Sequence, residues 1–214
     1  SVALKLLLRA DPKHERRFRQ EAQVLAALQH PGIERVVNAG VEGGVPWLAM
    51  ALVEGESLAK RLDRSGPMAP AEAARLVAAL ARAVGHCHAR GIVHRDLKPE
   101  NVLLERSTGA PVLVDFGLIR RDSEVFGELS IDARSRLSTT GELRGTPAYM
   151  SPEQVNPAKW GQVSPATDVY GLGGILCALL TGEPPHVAGS LPALMVSILE
   201  GNVPDIAERR PDCP

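Results

Sequence analysis

Two short, β-prone apolar runs, Val102-Leu103-Leu104 and Val112-Leu113-Val114, flank a Glu-Arg-Ser-Thr-Gly turn and constrain this chain more than any other feature. Such runs form a hairpin. Pairing residue 102 with 114 and 104 with 112 places Asn101, just before the first strand, opposite Asp115, just after the second. An amide oxygen and a carboxylate at one hairpin end suit Mg²⁺, whose coordination is completed by water and phosphate. The loop feeding the hairpin, His94-Arg95-Asp96-Leu97-Lys98-Pro99-Glu100-Asn101, adds a carboxylate and an ammonium. A base, a phosphate-contacting lysine and two metal ligands are the parts that phosphoryl transfer needs.

This loop, followed by Asp115-Phe116-Gly117, resembles the catalytic-loop and metal-binding signatures of the protein kinase family. Val2-Ala3-Leu4-Lys5 is similar to that family's lysine strand, and period-two alternation puts Ala3 and Lys5 on one face. A helix expected over about His14 to Gln29 carries Phe18, Leu25 and Leu28 on an inward stripe. Glu21 shares that stripe, at i+3 from Phe18 and i−4 from Leu25, and Lys5 is its expected partner. Asp168, within Ala166-Thr167-Asp168-Val169-Tyr170-Gly171, resembles the family's buried helix aspartate, which holds the backbone at the positions of His94 and Arg95. The stretch from Gly145 to Glu153 resembles the end of an activation segment, with Ser-Pro-Glu in place of Ala-Pro-Glu. Lys98 two residues after Asp96, and Thr146 after Gly145, follow the serine/threonine rather than the tyrosine pattern. His30-Pro31-Gly32-Ile33, Val53-Glu54-Gly55-Glu56-Ser57-Leu58 and Tyr149-Met150-Ser151-Pro152-Glu153-Gln154 are similar to bacterial eukaryote-like serine/threonine kinases.

The resemblance implies an α+β, two-lobed kinase-like fold, with a small lobe over 1–52 and a mainly helical lobe over 53–214. It implies ATP and Mg²⁺, and protein substrates offering Ser or Thr hydroxyls. Asp96 would accept or orient the hydroxyl proton, Lys98 neutralise charge on the transferred group, and Asn101 with Asp115 hold Mg²⁺; Thr146 joins this catalytic set. Ala3 would cover the adenine and Lys5 reach the α- and β-phosphates. Met50 would close the back of the adenine pocket, Ala51 and Val53 offer it backbone hydrogen bonds, and Leu103 form its floor.

Elsewhere the residues speak for themselves. Pro70 starts a helix whose apolar positions Ala73, Leu76, Val77, Leu80 and Val84 keep helical spacing until Gly91, and Gly43-Gly44 reads as a hairpin turn. His86 and His88 lie two apart on that helix and point apart, as ordinary helix residues do. A net charge of −1 gives no support for a nucleic-acid partner. Cys87, Cys177 and Cys213 lack paired or metal-ligand spacing, which fits a reducing, cytoplasmic setting. The longest apolar run, Val169 to Leu180, contains three glycines and is too short to span a membrane. Ile119 to Arg144 is polar and without periodicity, an expected mobile segment. Phosphorylation there at Thr139 or Thr140, with Ser138 next, would let the phosphate bridge to Arg95.

The chain departs from the family at both ends. Ser1 lies only four residues before Lys5, leaving no room for the glycine-rich loop that covers ATP, and Val2 to Leu8 is expected to form an apolar sheet edge. Pro211-Asp212-Cys213-Pro214 falls before the family's last helices, so the arginine that would pair with Glu153 is missing. Three readings compete: part of an active serine/threonine kinase, a regulatory pseudokinase, and a small-molecule phosphotransferase. Lys5, Glu21, Asp96, Asn101 and Asp115 are all present, which opposes the second; the activation-segment pattern opposes the third.

Overall fold

A computed structural model describes residues 1–6, 22, 25–115 and 146–213. Phe18, Glu21, Phe116, Gly117, Ser138, Thr139, Thr140 and Gly145 therefore lie outside the described residues, as do most of the helix expected over 14–29 and the far end of the Val2 to Leu8 strand.

Strand β1 (Val2–Leu6) alternates as its sequence requires, with Ala3 and Lys5 half-buried and Val2, Leu4 and Leu6 exposed. It pairs antiparallel with β3 (Val45–Ala51), which also pairs with β2 (Val36–Glu42), giving the order β1-β3-β2. Gly43 and Gly44 turn the β2–β3 hairpin with φ of 56° and 80°, the left-handed pair that a two-residue turn demands. Among the described residues β1 lies at one edge of this sheet.

One feature of the second sheet corrects the sequence reading, and another adds to it. The addition is a short strand, β4 (Gly55–Ser57), at the start of the mainly helical lobe; it pairs with β5 (Val102–Glu105), and β5 pairs with β6 (Pro111–Leu113). The hairpin is also one residue out of the expected register: Val102 faces Leu113 and Leu104 faces Pro111, rather than 114 and 112. The turn decides this. Glu105 N donates to Ala110 O (3.0 Å) and Gly109 N to Glu105 O (2.8 Å), closing a four-residue loop that the Thr108 hydroxyl braces against Glu105 (2.6 Å) and the Ala110 amide (3.1 Å). An even-numbered loop forces partner numbers that sum to an odd value, so Asn101 faces Val114 and Asp115 stands one residue beyond.

The larger lobe is built on two long helices. Ser57 caps α1 (Leu58–Ser65) by accepting from Lys60 N at 3.2 Å. Helix α2 (Pro70–His88) buries Ala73, Leu80, Ala83, Val84 and Cys87, while Leu76 and Val77 pack at its margin. A 3₁₀ turn (Thr146–Tyr149), two short helices, α3 (Pro152–Val155) and α4 (Pro157–Trp160), and then α5 (Pro165–Thr181) follow. Helix α5 is apolar nearly all round because it is buried nearly all round, Leu172, Ile175, Ala178 and Leu179 included. Among the described residues no helix is long and apolar enough to cross a membrane. Helices α6 (Leu191–Glu200) and α7 (Ile206–Arg209) complete the described fold. One core cluster runs from Leu25, Leu28, Ile33 and Leu48 of the small lobe through Leu80 and Val84 of α2 to Ile175 and Leu179 of α5.

Ile175 is fully buried in that cluster. Ile175→Ala is expected to cost about 2–5 kcal/mol through lost transfer energy and the cavity left behind, read as a lower denaturant midpoint.

Candidate active site

The loop before β5 is held from below by one carboxylate. Asp168, 1% exposed in the first turn of α5, accepts from His94 N (2.8 Å) and Arg95 N (2.9 Å), as the resemblance implied. His88 Nε2 lies 2.7 Å from the same carboxylate, so this histidine is not the ordinary helix residue its spacing suggested. A buried carboxylate with three polar partners is stable; one without them would not be. Gly171, one turn along α5, lets the helix approach this loop: a Cβ there would sit 2.8 Å from Leu97 Cβ.

Fixing two successive amides sets the loop's unusual path. Arg95 adopts φ 68°, rare for a residue with a side chain, and its carbonyl accepts from Gln154 Nε2 at 2.7 Å. The Arg95 side chain is exposed. His94 is 1% exposed, and burial holds its imidazole below the ordinary value against the pull of Asp168 and Asp96. Its Nδ1 accepts from Asp96 N at 3.3 Å, so the neutral ring carries its proton on Nε2.

Asp96, Lys98 and Asn101 then converge. Lys98 Nζ lies 3.0 Å from Asp96 Oδ2, and Asn101 Nδ2 donates to both Asp96 O (2.8 Å) and Asp96 Oδ2 (2.9 Å). The reversed amide would press an oxygen against two acceptors, so the orientation is fixed and the Asn101 carbonyl oxygen faces away from Asp96. Across the hairpin end Val114 N donates to Asn101 O at 3.0 Å, and Asp115 follows with φ 56°.

Asp115 is ion-paired with Lys5. The expected partner of Lys5, Glu21, lies outside the described residues. A second acid that the sequence reading missed, Glu34, faces the same pair. Burial and the nearby Asp115 carboxylate push its pKa up to about 7, while Lys5 and the Asp115 main-chain amide favour its charged form. The one signal in the sequence was a glutamate placed directly after a buried, strand-like isoleucine.

The residues expected around a nucleotide are brought to one place in part. Ala3 faces Met50 across the β1–β3 ladder and Lys5 faces Leu48, so Ala3, Lys5 and Met50 belong to one small sheet. Leu103 is half-buried on β5. Ala51 N is already spent on Arg35 O (2.8 Å), which narrows the backbone group available at Ala51 to its carbonyl. A 420 Å³ cleft lined by Leu28, Pro31, Glu34, Ala51, Val53 and Val112 among others takes in two of the expected nucleotide residues, Ala51 and Val53, but not Ala3, Lys5 or Leu103. Thr146 begins the 3₁₀ turn Thr146–Tyr149. Glu153, expected to lack a partner, accepts from the Thr167 hydroxyl at 2.5 Å. Among the described residues no cluster of three or more His, Cys, Asp or Glu side chains could hold a metal.

Residues 1–205 match the protein kinase domain family, and the chain belongs to it. Its relatives include bacterial serine/threonine-protein kinases. PkaA of Streptomyces coelicolor is 42% identical over 195 residues, covering 89% of this chain and 34% of that protein. The DNA damage-responsive serine/threonine-protein kinase RqkA of Deinococcus radiodurans is 40% identical over 221 residues, covering 100% of this chain and 30% of its own length. The crystal structure of the PknI kinase domain of Mycobacterium tuberculosis superposes with a TM-score of 0.70 at 28% identity, covering 99% of this chain and 71% of that one. The α+β, two-lobed architecture is thus that of a kinase domain, and the chain spans about a third of the length of the full relatives it matches.

Asp168→Ala would leave the His94 and Arg95 amides and the His88 ring without their acceptor. A loss of about 3 kcal/mol or more is expected, seen as a lowered denaturant midpoint; Asp168→Asn, which keeps one acceptor oxygen, is expected to lose less.

Proposed function

We infer that this chain is the catalytic part of a protein serine/threonine kinase that moves the γ-phosphoryl group of ATP to Ser or Thr hydroxyls of proteins. The observation that carries this reading is the joined cluster of Asp96, Lys98 and Asn101 at the hairpin end from which Asp115 reaches Lys5.

In this reading the Asp96 carboxylate orients the acceptor hydroxyl and takes its proton. The hydroxyl oxygen bonds to the γ-phosphorus as the bond from that phosphorus to the β–γ bridging oxygen breaks, leaving ADP. Asn101 and Lys98 hold Asp96 Oδ2 in place, and the Lys98 ammonium, 3.0 Å from it, offsets the negative charge of the group in transfer. Lys5 exchanges Asp115 for the α- and β-phosphates. Ala3, Met50 and Leu103 enclose the adenine, with the Ala51 carbonyl and the Val53 backbone as its hydrogen-bonding edge, and Glu21 steadies Lys5. Thr146 stays in the catalytic set on the strength of its place after Gly145.

The donor set fits a hard divalent cation. Asn101 presents an oxygen turned away from Asp96, and the Asp115 carboxylate already attracts a cation, the Lys5 ammonium. Asn101 and Asp115 would hold Mg²⁺, which supplies charge neutralisation on the phosphate oxygens. Self-phosphorylation at Thr139 or Thr140, answered by the exposed Arg95, belongs to the same reading, as does a cytoplasmic location, where ATP and free thiols such as Cys87 and Cys177 are at home.

The test is transfer itself. Full-length protein with Mg-ATP and a Ser/Thr-rich protein acceptor is expected to yield phosphoserine or phosphothreonine, and Asp115→Asn to abolish this while the protein stays folded. Near-parental turnover by Asp115→Asn would sink the assignment.

A further inference from the structure

Glu34 directly follows His30-Pro31-Gly32-Ile33, and the backbone explains how it reaches the site. Leu113 N donates to Gly32 O (2.9 Å) and Glu34 N donates to Leu113 O (2.9 Å), so Ile33 forms a parallel bridge with Leu113. Because the two segments run in the same direction, the residue after Ile33 is carried alongside the residues after Leu113. The bridge sets the Glu34 carboxyl within electrostatic reach of the Asp115 main-chain amide, the Lys5 ammonium and the Asp115 carboxylate.

Asp115 needs such support. Its φ of 56° lies in the left-handed region, which is unfavourable for a residue with a side chain and persists only where neighbours over-determine it. The Val114 amide is fixed to Asn101 on one side; the next amide along is that of Asp115, the one within reach of Glu34. Resting on the phosphoryl-transfer reading, we propose that Glu34 is a positioning residue: its carboxyl oxygen accepts the Asp115 amide hydrogen and holds the left-handed turn that aims the Asp115 carboxylate at the cation it must bind. The requirement is for an acceptor of this length, so glutamine can fill the role and methionine, of similar volume without an acceptor, cannot.

The experiment compares full-length parental protein with Glu34→Gln and Glu34→Met. Two readouts are taken: steady-state transfer to a protein acceptor, and binding of a fluorescent ADP analogue in EDTA and again in Mg²⁺. Glu34→Met is expected to lower kcat roughly tenfold, the effect of about 1.4 kcal/mol, with little change in KM for the acceptor. It should also lose most of the Mg²⁺-dependent gain in nucleotide affinity while keeping parental affinity in EDTA, a split that general loosening of the fold would not produce. Glu34→Gln should remain close to parental in both. Parental kcat and a parental Mg²⁺ gain in Glu34→Met would overturn the proposal, as would a Glu34→Gln protein as impaired as Glu34→Met. If the parental protein binds Mg-nucleotide but transfers nothing, the kinase reading fails, and the binding comparison still decides the role of Glu34.

Discussion

A single buried carboxylate organises the loop from His94 to Asn101. Asp168 spends its two oxygens on the amides of His94 and Arg95 and on the His88 ring, and each later feature follows from that anchorage. Pinning two successive amides bends the chain through the left-handed Arg95; the bend delivers Asp96 to Lys98 and Asn101; Asn101 opens the hairpin whose other strand leads to Asp115. The arrangement is hierarchical. Burying a charge is expensive, so the fold can afford Asp168 only with all its partners in place, and this couples the integrity of α5 to the position of a loop that contains the proposed base.

Around Lys5 the balance of charge is different. Among the described residues the Lys5 ammonium is set against Asp115 and Glu34, and the three side chains come from β1, from the end of the second sheet and from the segment before β2. With Glu34 ionised, such a group has an excess of negative charge, which a phosphate chain would worsen and a divalent cation would relieve. That asymmetry is the electrostatic reason why nucleotide and metal are expected to arrive together at this site.

Much of this was legible in the sequence where local chemistry decides the outcome. Pro70 and the spacing from Ala73 to Val84 encode α2, Gly43-Gly44 encodes its hairpin, and the two apolar runs encode β5 and β6. Asp168 could be assigned to the backbone of His94 and Arg95 because its surroundings resemble a known motif. What escaped depended on contacts that no local pattern records. The hairpin register turned on the Thr108 hydroxyl and the length of a loop. Strand β4, only Gly-Glu-Ser, has no apolar alternation and forms because Gly55 lacks a side chain: a Cβ there would come within 2.0 Å of Leu104 O. His88 meets a partner 80 residues away, Thr167 supplies the hydroxyl that Glu153 accepts, and Glu34 reaches Asp115 only once a parallel bridge has formed.

Gln154 joins the segment following the 3₁₀ turn Thr146–Tyr149 to the catalytic loop with the two ends of one amide: its oxygen accepts from Ser151 N (3.1 Å), and its nitrogen donates to Arg95 O (2.7 Å). Arg95 O belongs to the peptide unit whose nitrogen is that of Asp96. The strap is therefore short and stiff, with one planar group bridging the start of α3 and the peptide bond that leads into Asp96. The position of α3 is thereby tied to the orientation of the peptide bond that leads into Asp96.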